Sequence, residues 1–404
     1  MRRLVVLLYG LLFVSEVVWA ELVPLAPRFH TEFGLSKVET GALLSSASVA
    51  SVLFSMPLGV LADRVGARKL TVAASGLMAL ATIGQGFAVG FVTLFGARLV
   101  YGLAFAAIWT AGLSWLADSV SPERRAAALA AATTVAGTGI MIGPALGGLV
   151  ADHFGIAAPF VATGGLALAL AAALAAAGPG GRAEHEPQAT LAFLRAARRQ
   201  TYLLAAVSIM CLGGTVTSAI TLLVPLQLSA NGLSAGSIGL AFSAASALSI
   251  AVSAAVVRLG SRPVRLRVAG LVMSALGASF SLVLASASTL VVVLFLVLRT
   301  PLSSILFTIA YPLGIAGARR AQLGSGAVMG VLNVSWGVAT LLGPLVAGAV
   351  VQGASARWIY GGLLAVCFSF AGWMLLAARR MREPVQEIPP APVVTVDPLA
   401  SRMS

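Results

Sequence analysis

The Lys and Arg residues of this chain alternate with its apolar runs, and that alternation constrains the fold more than any other feature. Suppose Arg2-Arg3 lies in the cytoplasm and every apolar segment crosses a membrane. The cytoplasmic loops then collect Arg64, Arg68, Lys69, Arg124, Arg125, Arg182, Arg195, Arg198, Arg199, Arg258, Arg262, Arg265, Arg267, Arg319 and Arg320, and the C-terminal tail adds Arg379, Arg380, Arg382 and Arg402. The outer loops hold only Arg28, Lys37 and Arg357. Of 26 basic residues, 21 fall inside and 3 outside, while Arg98 and Arg299 sit within apolar segments. This is the bias of a polytopic inner-membrane (plasma-membrane) protein with both termini cytoplasmic. Reversing the chain, or removing one crossing, would scramble it.

The composition agrees. The chain is 59% hydrophobic and 10% charged, against about 25% charge in a soluble domain. A net charge of +13 raises the question of nucleic acid, but topology already accounts for it, so no nucleic-acid partner is expected. Cys211 and Cys367 fall in apolar segments, and His30, His153 and His185 in loops, which leaves no disulfide framework, metal site or cofactor to expect. Residues 1–20 have the outline of a signal peptide, but Glu16 interrupts the apolar region and cleavage would leave an odd number of crossings.

A helix needs about 20 apolar residues to cross the hydrocarbon. Twelve spans are expected, near 4–26, 40–61, 70–89, 92–115, 126–149, 156–178, 201–226, 235–257, 265–286, 288–313, 323–350 and 356–378. The fold class is therefore an all-α membrane protein with twelve transmembrane helices in two pseudo-symmetric six-helix bundles. The bundles are residues 1–178 and 201–380, joined by a polar cytoplasmic loop at 179–200 and followed by a disordered tail at 381–404. The halves repeat: Gly143-Pro144 matches Gly343-Pro344 200 residues on, Arg98 matches Arg299 at 201, and Arg64–Arg68 matches Arg258–Arg262 at 194. Duplicated halves flanking a central site are a transporter architecture.

Three stretches carry a family resemblance. Gly59-Val60-Leu61-Ala62-Asp63-Arg64-Val65-Gly66-Ala67-Arg68-Lys69, between spans two and three, resembles the signature loop of the major facilitator superfamily. Arg98-Leu99-Val100-Tyr101-Gly102 resembles a second motif of that family. Gly137-Thr138-Gly139-Ile140-Met141-Ile142-Gly143-Pro144-Ala145-Leu146-Gly147-Gly148 resembles the fifth-helix motif of its twelve-helix drug:proton antiporters. The resemblance covers about residues 1–380. It implies that Asp63 latches onto the start of span eleven near Gln322, that Asp118 is the acidic partner of the loop cations, and that Arg98 takes part in proton coupling. Ala67 stands where the family has a cation, a role expected to pass to Arg68. Each reading has a plainer counterpart: a topology-setting basic loop, a structural hydrogen-bond hub at Arg98, and simple packing at Gly139, Gly143, Pro144 and Gly147. Small residues four apart give a helix a flat face for close contact, and Pro144 favours a kink.

The acids narrow the coupling chemistry. Apart from loop, tail and membrane-edge acids, only Glu16 and Glu21 lie within a span, and no Asp or Glu occurs between Glu186 and Glu383. Burial disfavours an ionised carboxylate and a nearby guanidinium favours it, a competition that a proton switch can exploit. At about 1.5 Å per residue, Glu16 lies about 18 Å and Glu21 about 25 Å from the inner face, with Arg98 between them at about 21 Å. Glu16, nearer the midplane, is the favoured carrier; Glu21 can instead be an outer gate or interfacial group. Candidate substrate contacts are Trp19, Tyr101, Phe105, Trp109, Gln227, Arg299, Phe307, Tyr311, Asn333 and Trp336.

These readings lead to a monomeric secondary transporter, not an enzyme, that exchanges small amphipathic or cationic compounds for protons. Two alternatives stay open: a facilitator or symporter for a small metabolite, anionic if Arg299 binds it, and a non-transporting membrane sensor or scaffold.

Overall fold

A computed structural model describes residues 2–177, 200–258, 266–320 and 325–380. The inter-bundle loop at 179–199, the second-half loop around Arg262, Gln322 and the tail from 381 lie outside the described residues. All regular structure among the described residues is helical. The twelve long helices among them are α1 (Arg2–Ala20), α2 (Lys37–Val65), α3 (Ala67–Gly86), α4 (Phe91–Ala107, continued by Ile108–Gly112 and Leu113–Asp118), α5 (Pro122–Phe154), α6 (Ala157–Ala175), α7 (Thr201–Ala230), α8 (Ala235–Arg258), α9 (Leu266–Ala285), α10 (Thr289–Arg320), α11 (Ser325–Gly353) and α12 (Arg357–Arg380). Eleven segments of the described residues are long and apolar enough to cross a membrane. α3 is not among them: at 20 residues it is long enough, but Arg68, Lys69 and Gln85 fall within it.

Two departures from regular α-helix matter for the site. The first crossing is broken: α1 ends at Ala20, a 3-10 turn spans Val23–Leu25, and a short helix covers Ala26–Phe33. Pro24 and Pro27 supply no backbone donor there, so the helical ladder cannot continue through them. Glu21 therefore sits at a break and not within a continuous helix, as the expected span 4–26 had it. The second departure is in α4, where Ile108–Gly112 forms a π turn, a feature found chiefly at functional sites.

The ends are set by local chemistry. Ser36 and Glu39 form a reciprocal capping box at the start of α2. Gly66, at φ 94°, closes α2 and opens α3 in a backbone conformation that favours glycine.

Packing follows the repeat. In the first half α1 lies on α5, α2 on α4, and α3 on both α4 and α6; in the second, α7 lies on α11, α8 on α10, and α9 on both α10 and α12. One buried apolar cluster runs from Leu8 to Leu174, and another centres on α7, α9 and α10. The halves meet chiefly through α5 against α8 and α2 against α11. Large apolar side chains such as Leu80, Val92, Leu166, Leu290, Leu342 and Leu376 stay exposed, as lipid-facing surface would be.

Candidate functional site

Arg98 on α4 is 1% exposed and reaches α1. Its Nη1 donates to the Val18 carbonyl at 3.1 Å and its Nη2 to the Trp19 carbonyl at 3.2 Å. The break explains why those carbonyls are available. Glu21 N–H still reaches Val17 O at 2.8 Å, but the next two carbonyls face a chain that has left the helix. Arg98 thus caps the C-terminal end of α1, where unpaired carbonyls and the helix dipole favour a cation. Its guanidinium lies 4.4 Å from the Tyr101 ring centroid and 5.7 Å from that of Trp19, and the Tyr101 hydroxyl donates to Ser15 O at 2.6 Å. Among the described residues no direct ion pair joins Arg98 to a helix-one acid: its two terminal nitrogens donate to backbone oxygens, and Glu21 acts on the guanidinium only through space.

The two acids have different surroundings. Glu21 is completely buried; its Oε1 accepts from Thr163 Oγ1 on α6 at 3.1 Å, and its Oε2 has no partner. Glu16 is buried as well, at 7% exposure against none for Glu21. Trp109, in the π turn, sets its buried indole N–H beside the Glu16 carboxylate. Trp109 continues a run of rings: Trp19–Phe105 at 5.0 Å, Tyr101–Phe105 at 5.9 Å and Phe105–Trp109 at 6.0 Å.

Both acids are packed against the fifth-helix glycines. A Cβ on Gly139 would lie 2.5 Å from Phe13 O and 2.9 Å from Glu16 Cβ; on Gly143, 2.8 Å from Ala20 Cβ; on Gly147, 2.8 Å from both Cα and Cβ of Glu21. In the second half, the Cβ of Gly343 would meet Ser218 Oγ and Ala219 N on α7. The repeat therefore extends to contacts, with α5 on α1 as α11 is on α7. It extends to the buried arginines as well: Arg299 Nη1 lies 3.4 Å from Thr217 Oγ1 on α7, as Arg98 engages α1.

Between the halves lies a cavity of about 80 Å³. Trp19, Arg98, Thr217, Thr221, Trp336 and Thr340 are in its wall, which contains no carboxylate. Trp336 meets Phe307 edge-on at 4.7 Å. Several expected substrate contacts lie elsewhere. Gln227 accepts from the Tyr360 hydroxyl at 3.1 Å, Tyr311 donates to Asn333 Oδ1 at 3.3 Å, and Arg299 reaches the cavity only through Thr217.

The signature loop is also arranged differently from expectation. Arg68 Nη2 donates to Ala175 O at 3.0 Å and Ala177 O at 2.9 Å, capping α6. It does not take over the missing cation's role toward Asp118, one of whose carboxylate oxygens is buried without a partner. Arg64 and Asp63 are exposed, and a Cβ added at Gly59 would make only ordinary contact with Thr110. The α11 end of the expected Asp63 latch, near Gln322, lies outside the described residues.

Residue type alone did not point to Thr163, whereas Thr217 belongs to a run of small and hydroxyl residues, Gly213–Ser218, of the kind that suits a helix lining a cavity. The signal for Thr163 was a hydroxyl at mid-span in the helix that flanks α1.

A family model described as Major Facilitator Superfamily matches residues 7–327. An MFS-type transporter, ppzB, of Metarhizium rileyi is 32% identical over 154 residues, 37% of this chain and 32% of that protein. A multi-drug resistance efflux pump PmrA homolog of Lactococcus lactis is 32% identical over 177 residues, 43% of each chain. The chain thus spans less than half the length of these relatives. Among solved structures, a bacterial homolog of the human lysosomal transporter Spinster, inward-facing and unoccupied, superposes with a TM-score of 0.76 at 14% identity, over 96% of this chain and 99% of that one. A point mutant of the nucleoside transporter NupG superposes at 0.72 and 13% identity, over 94% and 100%.

Proposed function

The chain belongs to the major facilitator superfamily, and on that premise we propose that it exports small amphipathic or cationic compounds in exchange for protons, by alternating access of two six-helix bundles. In this reading it is a monomer in the plasma membrane, with both termini and the loop at residues 64–69 on the cytoplasmic side. The observation that carries the proposal is the contact between the fifth-helix glycines and the two helix-one acids. Gly139 abuts Glu16 and Gly147 abuts Glu21, so sliding or tilting α5 against α1 changes the surroundings of both carboxylates. Glu16 is the proton carrier, since it is the less tightly enclosed of the two and lies beside Trp109, and Glu21, bonded to Thr163, holds the break in place. A proton arriving from outside neutralises Glu16 and releases a substrate cation; loss of that proton to the cytoplasm restores the charge for the next one. Each ligand shifts the access equilibrium only by its differential affinity for the two states. The multidrug efflux pumps among its relatives support the substrate class.

A second reading rests on the cavity wall, which presents Arg98 and hydroxyls without a carboxylate. That lining suits an anionic or neutral polar metabolite.

One experiment separates the readings. Purified protein in liposomes carrying an internal pH dye is given an imposed pH gradient, then ethidium-like lipophilic cations or small organic anions. Under the first reading, cations move protons, and Glu16→Gln, neutral like the protonated acid, weakens cation binding and cuts this coupling at least about tenfold. Under the second, anions move instead and Arg299→Ala removes their transport. A non-transporting sensor would move neither.

A further inference from the structure

The halves touch through one contact built twice. On α5, Pro144, Gly148 and Asp152 lie four residues apart and so share a face. They meet the start of α8: the Pro144 carbonyl lies over Gly239, Gly148 lies against Ala235 O and Gly236 Cα, and Asp152 Oδ2 accepts from Gly236 N at 2.8 Å. On α11, Pro344, Gly348 and Gln352 repeat the same spacing 200 residues later. They meet the start of α2 in the same way: the Pro344 carbonyl lies over Gly41, Gly348 lies against Lys37 O and Val38 Cα, and Gln352 Oε1 accepts from Lys37 N at 2.9 Å. Every rung has its counterpart in the other half. Each rung also joins one half of the molecule to the other, at the end away from the loop at 64–69. Two charges reinforce the ends: Arg28 lies 3.9 Å from Asp152 and donates to Ala151 O at 2.7 Å, and Lys37 Nζ donates to Val351 O at 3.0 Å.

We propose that Asp152 and Gln352 are paired gate-positioning residues: each holds a free amide in the first turn of the facing helix, and together they clasp the outer side of the transporter shut. A helix N-terminus offers amides without intrahelical partners, so a side-chain oxygen there gains a bond that the open state returns to water. The limbs differ by one residue in the amide they hold, Gly236 being second in α8 and Lys37 first in α2, and they differ in charge, a carboxylate on an amide making a stronger bond than a neutral carboxamide does. The limb through Asp152 is therefore the tighter of the two.

The inference rests on the alternating-access reading, so its test reads accessibility without any substrate. Cys211 and Cys367 are replaced by serine, and Thr221→Cys in the cavity wall serves as the reporter for a membrane-impermeant thiol reagent added to intact cells. Asp152→Ala is expected to speed labelling about tenfold, Gln352→Ala less, and the double variant more than either. Asp152→Asn keeps an acceptor and is expected to stay within about twofold of the parent. Should a variant fail to accumulate, Asp152→Cys with Gly236→Cys gives an independent measurement, because the atom nearest a Cβ added at Gly236 is the carboxylate oxygen that its partner substitution removes, and the next is the movable end of the Leu149 side chain. Oxidation of that pair should reduce reporter labelling to background, and reductant should restore it. Labelling that is unchanged in the double variant, or that continues when the bridge has formed, would overturn the clasp. A transporter that fails only to move protons or cations would leave it intact.

Discussion

Arg98→Leu is expected to abolish transport and to destabilise the protein by about 3 kcal/mol or more, since hydrogen bonds to a charged donor contribute about 1.5–3 kcal/mol each and two buried carbonyls would lose theirs. The carbonyls are those of Val18 and Trp19, released from the helical ladder by the break after Ala20. Leucine fills part of the space but supplies no donor. It also removes the cation stacked on Tyr101, whose hydroxyl ties down Ser15. Arg98→Lys keeps the charge but cannot fork across two acceptors, so partial stability and a small residual activity are expected. Thermal unfolding in detergent, run beside the liposome assay, checks both. If Arg98→Leu melts with the parent but transports nothing, the residue acts in coupling and not as the cap of α1.

A single methyl group on the fifth helix should be nearly as damaging. Alanine at Gly139, Gly143 or Gly147 places a Cβ within 3 Å of α1 atoms. Much of what it meets is backbone, which cannot rotate away as the end of a flexible side chain can. Overpacking of this kind costs about 1–3 kcal/mol, and here it also drives α1 and α5 apart where Glu16 and Glu21 sit. A loss of coupled transport of at least about tenfold is expected for each, with Gly147→Ala the most severe. Gly137 belongs to the same motif but faces nothing within 4 Å, so Gly137→Ala should match the parent in expression, melting and transport. A series in which all four substitutions behave alike would mean that composition, and not the face against α1, is what matters at this motif.

The large features were legible before any coordinates. Basic loops alternate because each apolar run crosses the membrane, and the 200-residue echo of Gly143-Pro144 follows from a repeated fold. Helix lengths also followed from hydropathy, α3 included, except that α1 stops at Ala20 and α10 runs on to Arg320, beyond the expected 313. What escaped was chemistry carried by the backbone. Arg98 seemed to need a carboxylate because acids are visible as residue types; its actual partners are two peptide oxygens, which every residue possesses. Pro24 and Pro27 were the available sign that such oxygens would be exposed near Ala20. Arg68 escaped for the same reason, since it caps α6 through carbonyls. Gln227 is polar and within a span, but its contact with Tyr360 depends on how α7 meets α12, which no local pattern encodes. Asp152 and Gln352 lie one turn beyond the conspicuous glycine motif, in a spacing of four that reads as ordinary helix until both halves are laid side by side.

The π turn at Ile108–Gly112 bears on how the duplication is to be compared. A π turn closes its hydrogen bond one residue later than an α turn, so it absorbs one residue more for nearly the same advance along the axis. Before it, Arg98 and Arg299 stand 201 positions apart; after it, Gly143 and Gly343, and Asp152 and Gln352, stand 200 apart. Within α4 the turn moves the later side chains, as far as Asp118, about 100° around the axis from where an unbroken α-helix would place them. Trp109, next to Glu16, lies in the segment that makes this shift.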